Sequence, residues 1–179
     1  MRRIERPHAS GPRLWNRTTK PLWLCALSTY ILDRVTKVWA VAALSDQPPR
    51  KVLGSLLQLH LIGNAGAAFS VGLGRSILLS AFAFFVASAI IFFTPMLISR
   101  RWALTLGLVL GGALGNLTDR ISQSKSGFLQ GEVIDFLELP NWPIFNLADV
   151  AISTAAVLAI ILSIQNISPT GKRPDRSAL

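Results

Sequence analysis

Two aspartates, Asp135 and Asp149, lie in one short stretch, V-I-D-F-L-E-L-P-N-W-P-I-F-N-L-A-D-V at residues 133–150, separated by a turn-rich spacer containing Pro140, Asn141 and Pro143. The second opens a long apolar run, where a charged carboxylate is costly unless a partner or a reaction meets it. Neither has a basic residue within four positions. Two unpaired carboxylates brought together cannot both ionise cheaply, so they share a proton. Such a pair can hydrolyse a peptide bond: one carboxylate activates water while the other donates to the carbonyl, as in aspartic proteases. The competing reading of the polar residues is structural, as ion pairs and hydrogen bonds that hold a helix bundle together.

The chain that must position this pair has a membrane protein's composition. Hydrophobic residues make up 51% and charged residues 15%, where a soluble domain carries about a quarter charged. The net charge of +9 does not form a nucleic-acid-binding stripe. Arg2, Arg3, Arg6, Arg13, Arg17 and Lys20 precede the first apolar run, Arg100 and Arg101 sit between two others, and Lys172, Arg173 and Arg176 follow the last. Basic residues in those places mark cytoplasmic segments, and nucleic acid is excluded as a partner because its binding needs the charge on one folded face. Cys25 is the only cysteine, so no internal disulfide forms, and it reads as a small packing residue.

Hydropathy predicts four membrane-spanning helices, at about residues 22–44, 77–98, 102–121 and 145–164. The first is retained rather than cleaved as a leader, because Asp33, Arg34 and Lys37 interrupt what would be its apolar core. Residues 1–20 and 168–179 read as disordered basic cytoplasmic tails flanking a domain over 21–167. Within it, residues 52–62 alternate in part and predict a short sheet at the membrane surface. Residues 122–144 read as a second non-spanning loop. Arg100 and Arg101 make the tight cytoplasmic turn before the third helix, on which Gly107, Gly111 and Gly115, spaced by four, form a face for close helix packing. Both termini are then cytoplasmic and both long loops lie outside.

This topology assigns depths. Asp33 and Lys37 fall roughly 17 and 22 Å from the inner end of the first helix, and Asn116, Asp119 and Arg120 at roughly 21 to 27 Å along the third. Asn146 and Asp149 occupy the first two turns of the fourth. Polar groups from three helices therefore meet in the outer half of the membrane, none of them on the second helix, and the spacings of Asp33 with Lys37, Asn116 with Arg120 and Asn146 with Asp149 put each set on one helix face. At this level Asp119 is as good a partner for Asp149 as Asp135 is. A proton-coupled transporter or channel, using the aspartates as a relay, is the alternative function; the lack of a polar path to the cytoplasm argues against it. His8 and His60 have no partners at zinc-ligand spacing, so no metal site is expected. Neither a nucleophile elbow nor a nucleotide-binding loop is present.

Five pieces occur in the order found in one family: D-R-V-T-K at 33–37, N-A-G-A-A-F at 64–69, G-N-L-T-D-R at 115–120, V-I-D-F at 133–136 and F-N-L-A-D at 145–149. Over about residues 22–165 the chain resembles lipoprotein signal peptidase, or signal peptidase II, a bacterial inner-membrane aspartic protease family. The resemblance implies an otherwise all-α membrane protein of four transmembrane helices, with a small extracytoplasmic β-cradle at about 46–75 and a lid loop at about 122–144. It implies that Asp135 and Asp149 are the catalytic pair, that Asn64, Asn116, Arg120 and Asn146 line the site and position substrate, and that Asp33 and Lys37 support it. It also implies a monomeric enzyme without metal or cofactor, with membrane lipid around it. The implied substrate is a diacylglyceryl-modified prolipoprotein, cut before its lipidated cysteine. The chain departs from the family core in its longer basic N-terminal tail and in the long approach to V-I-D-F.

Overall fold

The computed structural model describes residues 16–66, 74–124, 127 and 129–171. The first fifteen and last eight residues, and with them most of the two expected tails, lie outside that set, as do residues 67–69 of the N-A-G-A-A-F piece. Four long helices are present among the described residues: α1 (Lys20–Leu44), α2 (Gly74–Phe93), α3 (Arg100–Ser122) and α4 (Leu147–Ile164). Three strands accompany them: β1 (Arg50–Leu53), β2 (Leu57–Asn64) and β3 (Val133–Glu138).

The segments Ser76–Met96 and Leu147–Ile164 are long and apolar enough to cross a membrane. Helix α1 carries more charge, yet it is built inside out. Leu24, Leu27, Ile31, Val35 and Val38 are exposed, while Thr29, Asp33 and Lys37 are buried. In water that arrangement would leave the driving force for folding unused; in a lipid-facing bundle it is the favourable one.

Helix α3 is the hub. A Cβ at Gly107 would lie 2.6 Å from the carbonyl oxygen of Leu22, and one at Gly111 would lie 2.5 Å from that of Ala26, so the glycine face receives the backbone of α1. Gly112, outside that spacing pattern, does the same for α4, its absent Cβ falling 2.8 Å from the Ala148 carbonyl. Two helices thus reach α3 at van der Waals contact because side chains are missing there. At its C-terminal end α2 passes into a single 3₁₀ turn, Thr94–Met96, holding Pro95, and residues 97–99 make the connection. Arg100 and Arg101, expected in that turn, instead begin α3, whose N-cap Ser99 accepts a hydrogen bond from the Trp102 amide. The segment that follows α4 folds back here, with the Trp102 indole donating to the Ile167 carbonyl at 2.6 Å.

The strands form one antiparallel sheet in the order β1-β2-β3. Alternation reveals part of β1 and most of β2, but residues 122–144, read as a loop, contain β3. Its first four residues are all buried, so the strand has no wet face to give the alternating signature, and its partner lies some seventy residues earlier, with Ile62 opposite Asp135. The sheet packs on the C-terminal end of α1, where Phe136 joins Ala40 and Leu44 and meets Trp39 edge to face at 6.3 Å. That packing sets Asp135 beside the bundle.

Candidate active site

Helix α4 begins with a reciprocal cap. The Asn146 side chain accepts from the Asp149 amide at 3.1 Å and the Asp149 Oδ2 accepts from the Asn146 amide at 3.2 Å. The spacing of these two residues predicts a shared helix face. In the structure Asn146 stands just outside the helix in extended conformation, and N-L-A-D is the capping box, a signal legible in the sequence as a polar cap followed three residues later by an acid before an apolar run. The cap holds both side chains by bonds local to the chain.

Because the Asn146 oxygen is taken by a backbone donor, its amide nitrogen faces away from the helix and donates to Asp135 Oδ1 at 2.6 Å and to Asn116 Oδ1 at 3.1 Å. Asn64, the last residue of β2, is fixed in the same way: its oxygen accepts from the Gly66 amide at 2.8 Å, and its nitrogen donates to Asp135 Oδ2 at 2.8 Å. Asn116 on α3 donates to Asp149 Oδ1 at 3.0 Å. Every oxygen of the two aspartates therefore accepts from an amide, and a single asparagine, Asn146, contacts both. The oxygens have lone pairs to spare beyond these bonds.

Asp135 is 1% exposed. Burial raises its carboxyl from the ordinary 3.8 to about 6; the negative charge of Asp149 pushes the same way, and the hydrogen bonds from Asn64 and Asn146 offset part of the rise. Asp149 borders a cavity of about 300 Å³ between α2, α3 and α4. Asn116, Arg120 and Asp149 make one polar end of it; Leu79, Phe82, Val86, Val109 and Ile152 supply an apolar wall. A group bound there would present a polar backbone to the carboxylate and apolar side chains to the helices.

Asp119, an equal candidate for pairing on spacing alone, is placed elsewhere. It is fully buried, forms ion pairs with Arg34 and, at 2.8 Å, with Lys37 of α1, and accepts from the Ile134 amide of β3 at 3.3 Å. Its sequence neighbour Arg120 points away and donates to Ser76 Oγ of α2 at 2.7 Å. Asp33 pairs with Lys37 at 2.9 Å and accepts from the Ala148 amide at 3.0 Å, tying α1 to the start of α4. Lys37 also donates to Asn116 Oδ1 at 2.8 Å. Seven of the eight residues singled out from the sequence thus form one network of hydrogen bonds and ion pairs, and Arg120 meets it only at the wall of the cavity.

Two participants escaped the sequence reading. Ser76 and Ser80, both buried on α2, bring the second helix into the cluster: Ser76 accepts from Arg120 and Ser80 donates to the Leu129 carbonyl at 2.9 Å. They fasten residues 129–131 to α2 just before β3. The premise that no polar residue of the second helix takes part therefore fails for these serines. Hydroxyls leave a helix apolar by hydropathy, so no composition signal marks them.

A family model described as signal peptidase (SPase) II matches residues 25–165. The chain is 44% identical over 153 residues to a lipoprotein signal peptidase of Leifsonia xyli subsp. xyli, covering 85% of this chain and 70% of the relative. It is 40% identical over 158 residues to that of Mycobacterium tuberculosis H37Rv, covering 88% and 76%. A bacterial membrane enzyme solved by the in meso method at 1.9 Å superposes with a TM-score of 0.70 at 26% identity, covering 81% of this chain and 93% of that one. A second, solved at 2.3 Å, gives 0.68 at 25% identity, covering 86% and 93%.

Proposed function

This chain belongs to the signal peptidase II family, a family of bacterial membrane enzymes that process lipoproteins, and on that premise we propose that it is an aspartic endopeptidase whose catalytic pair is Asp135 and Asp149. The observation that carries the reading is Asn146, which touches both carboxyl groups while one of them is raised to about 6 and the other borders the cavity. In the active form the pair shares a single proton, held by Asp135, whose carboxyl burial raises. Asp149 draws a proton from a water molecule as the water oxygen attacks the scissile carbonyl carbon, and Asp135 gives its proton to the carbonyl oxygen. The tetrahedral intermediate collapses as Asp149 gives its proton to the departing nitrogen, the C–N bond breaks, and Asp135 takes back the proton of one hydroxyl as the C=O bond re-forms. No covalent enzyme intermediate forms.

The substrate is a diacylglyceryl-modified prolipoprotein, cut before its lipidated cysteine. All four helices span the inner membrane with both termini cytoplasmic, a reading supported by the inside-out α1 and the positions of the basic residues. The site faces the outer leaflet, so the signal helix approaches sideways with its acyl chains still in lipid and its apolar residues against the α2 side of the cavity. Asn64, Asn116 and Asn146 hold the carboxyl groups, Arg120 binds the substrate backbone, and Asp33 and Lys37 support them. The β1-β2-β3 sheet acts as the cradle over the site, and the part of residues 122–144 that leads into β3 supplies its lid. The enzyme works as a monomer with neither metal nor cofactor.

The test is cleavage of a lipidated prolipoprotein by purified wild type and Asp149→Asn. The variant is expected to insert, fold and bind substrate without turning it over. Near-normal turnover would remove Asp149 from the mechanism.

A further inference from the structure

Lys37 is fully buried on α1, and its ammonium has three oxygens within reach: Asp33 Oδ2 at 2.9 Å, Asp119 Oδ2 at 2.8 Å and Asn116 Oδ1 at 2.8 Å. The two carboxylates are already balanced by two cations, since Arg34 also pairs with Asp119. Charge balance leaves the third contact, to a neutral amide, unexplained. Its consequence is directional. An ammonium can only donate, so Asn116 must turn its oxygen toward Lys37, and its nitrogen is thereby committed to Asp149 Oδ1 at 3.0 Å. The Asn146 amide, donating to the same Asn116 oxygen at 3.1 Å, acts in the same sense. Turned over, the Asn116 amide would set an N–H against an ammonium and an oxygen against a carboxylate.

The other two asparagines of the site are fixed by backbone amides of their own neighbourhood. Asn116 sits in mid-helix, where the backbone amides are engaged in the helix, and it takes its polarity from a side chain on another helix. Resting on the reading of Asp149 as half of the catalytic pair, we propose that Lys37 is a positioning residue of the reaction: it sets the direction of the Asn116 amide, which in turn holds the Asp149 carboxylate at the cavity. Lys37 is not among the residues that line the cavity. It acts on Asp149 through Asn116.

The experiment measures kcat and KM on a diacylglyceryl-modified prolipoprotein for the full chain in micelles, comparing wild type with Lys37→Met, Lys37→Arg, Asn116→Leu and the Lys37→Met/Asn116→Leu pair. Lys37→Met is expected to lower kcat by up to about a hundredfold, the scale of a displaced catalytic group, with KM unchanged, as for an interaction made in the transition state. Lys37→Arg restores most of the rate. The double variant is no slower than Asn116→Leu alone, because the second change removes the route by which the first acts. Should Lys37→Met leave Asp33 too poorly matched to fold, Asp33→Asn/Lys37→Met deletes one charge of each sign and is expected to show the same loss. Losses that multiply in the double variant, or a charge-balanced variant that turns over at the wild-type rate per folded molecule, overturn the proposal. Asp149→Asn in the same assay separates the two readings. If it is inactive while the losses multiply, only the role of Lys37 falls; if it is active, the catalytic pair itself falls.

Discussion

Replacing Asp135 by asparagine tests the pair through stability as well as rate. In the folded protein the Asp135 carboxyl is raised from 3.8 to about 6, chiefly by burial, so the native state binds this proton more tightly than the unfolded chain does. Below pH 3.8 both states hold it and the site costs nothing. Between 3.8 and about 6 the unfolded chain releases it first, and stability falls as pH rises; above about 6 the whole penalty is present. The shift corresponds to about 3 kcal/mol. An asparagine at this position never ionises, so the variant is free of this slope. It carries instead a fixed cost of about 1–3 kcal/mol, because its new N–H₂ must face one of the donors that Asp135 accepts, Asn64 or Asn146. That cost does not depend on pH. Unfolding in mixed micelles, followed by the fluorescence of the five tryptophans, should therefore show the variant gaining about 3 kcal/mol on wild type between about pH 3.5 and about pH 8. Cleavage should be abolished across the range. A stability difference that stays flat with pH would refute the raised carboxyl, and retained cleavage would refute its place in the reaction.

The Asp119→Asn change leaves Lys37 and Arg34 facing a neutral amide in a buried site. Removing one partner of a buried ion pair costs about 3–5 kcal/mol, so its effect is expected chiefly in yield and in the unfolding midpoint; a variant as stable as wild type would show that the pairs with α1 contribute nothing. The Gly111→Ala change puts a methyl group 2.5 Å from the Ala26 carbonyl oxygen, forcing α1 and α3 apart at a cost of about 1–3 kcal/mol. A midpoint equal to that of wild type would mean that the two helices do not pack backbone to backbone.

By itself the sequence determined the helices, because lipid demands long apolar runs, and it determined which helix carries the close-packing face, because glycines at a spacing of four have few other uses in such a run. It exposed most of the polar residues as well: a charge within an apolar helix is costly unless met, so Asp33, Lys37, Asn116 and Arg120 had to converge with the residues that open α4, whereas Asn64 was marked only by the family resemblance. Only the tertiary structure decided who meets whom. Spacing left Asp119 and Asp135 equivalent, and the difference lies in α1, which places Arg34 and Lys37 against the one, and in β2, which places Asn64 against the other. Strand β3 was hidden for the same reason that it matters. It is buried on both faces, so nothing in its pattern alternates, and the partner that gives it a register is far away in the chain. The direction of the Asn116 amide was equally beyond local reading, since it depends on which donors other elements bring to its oxygen, whereas Asn64 and Asn146 take theirs from backbone amides close by in the chain.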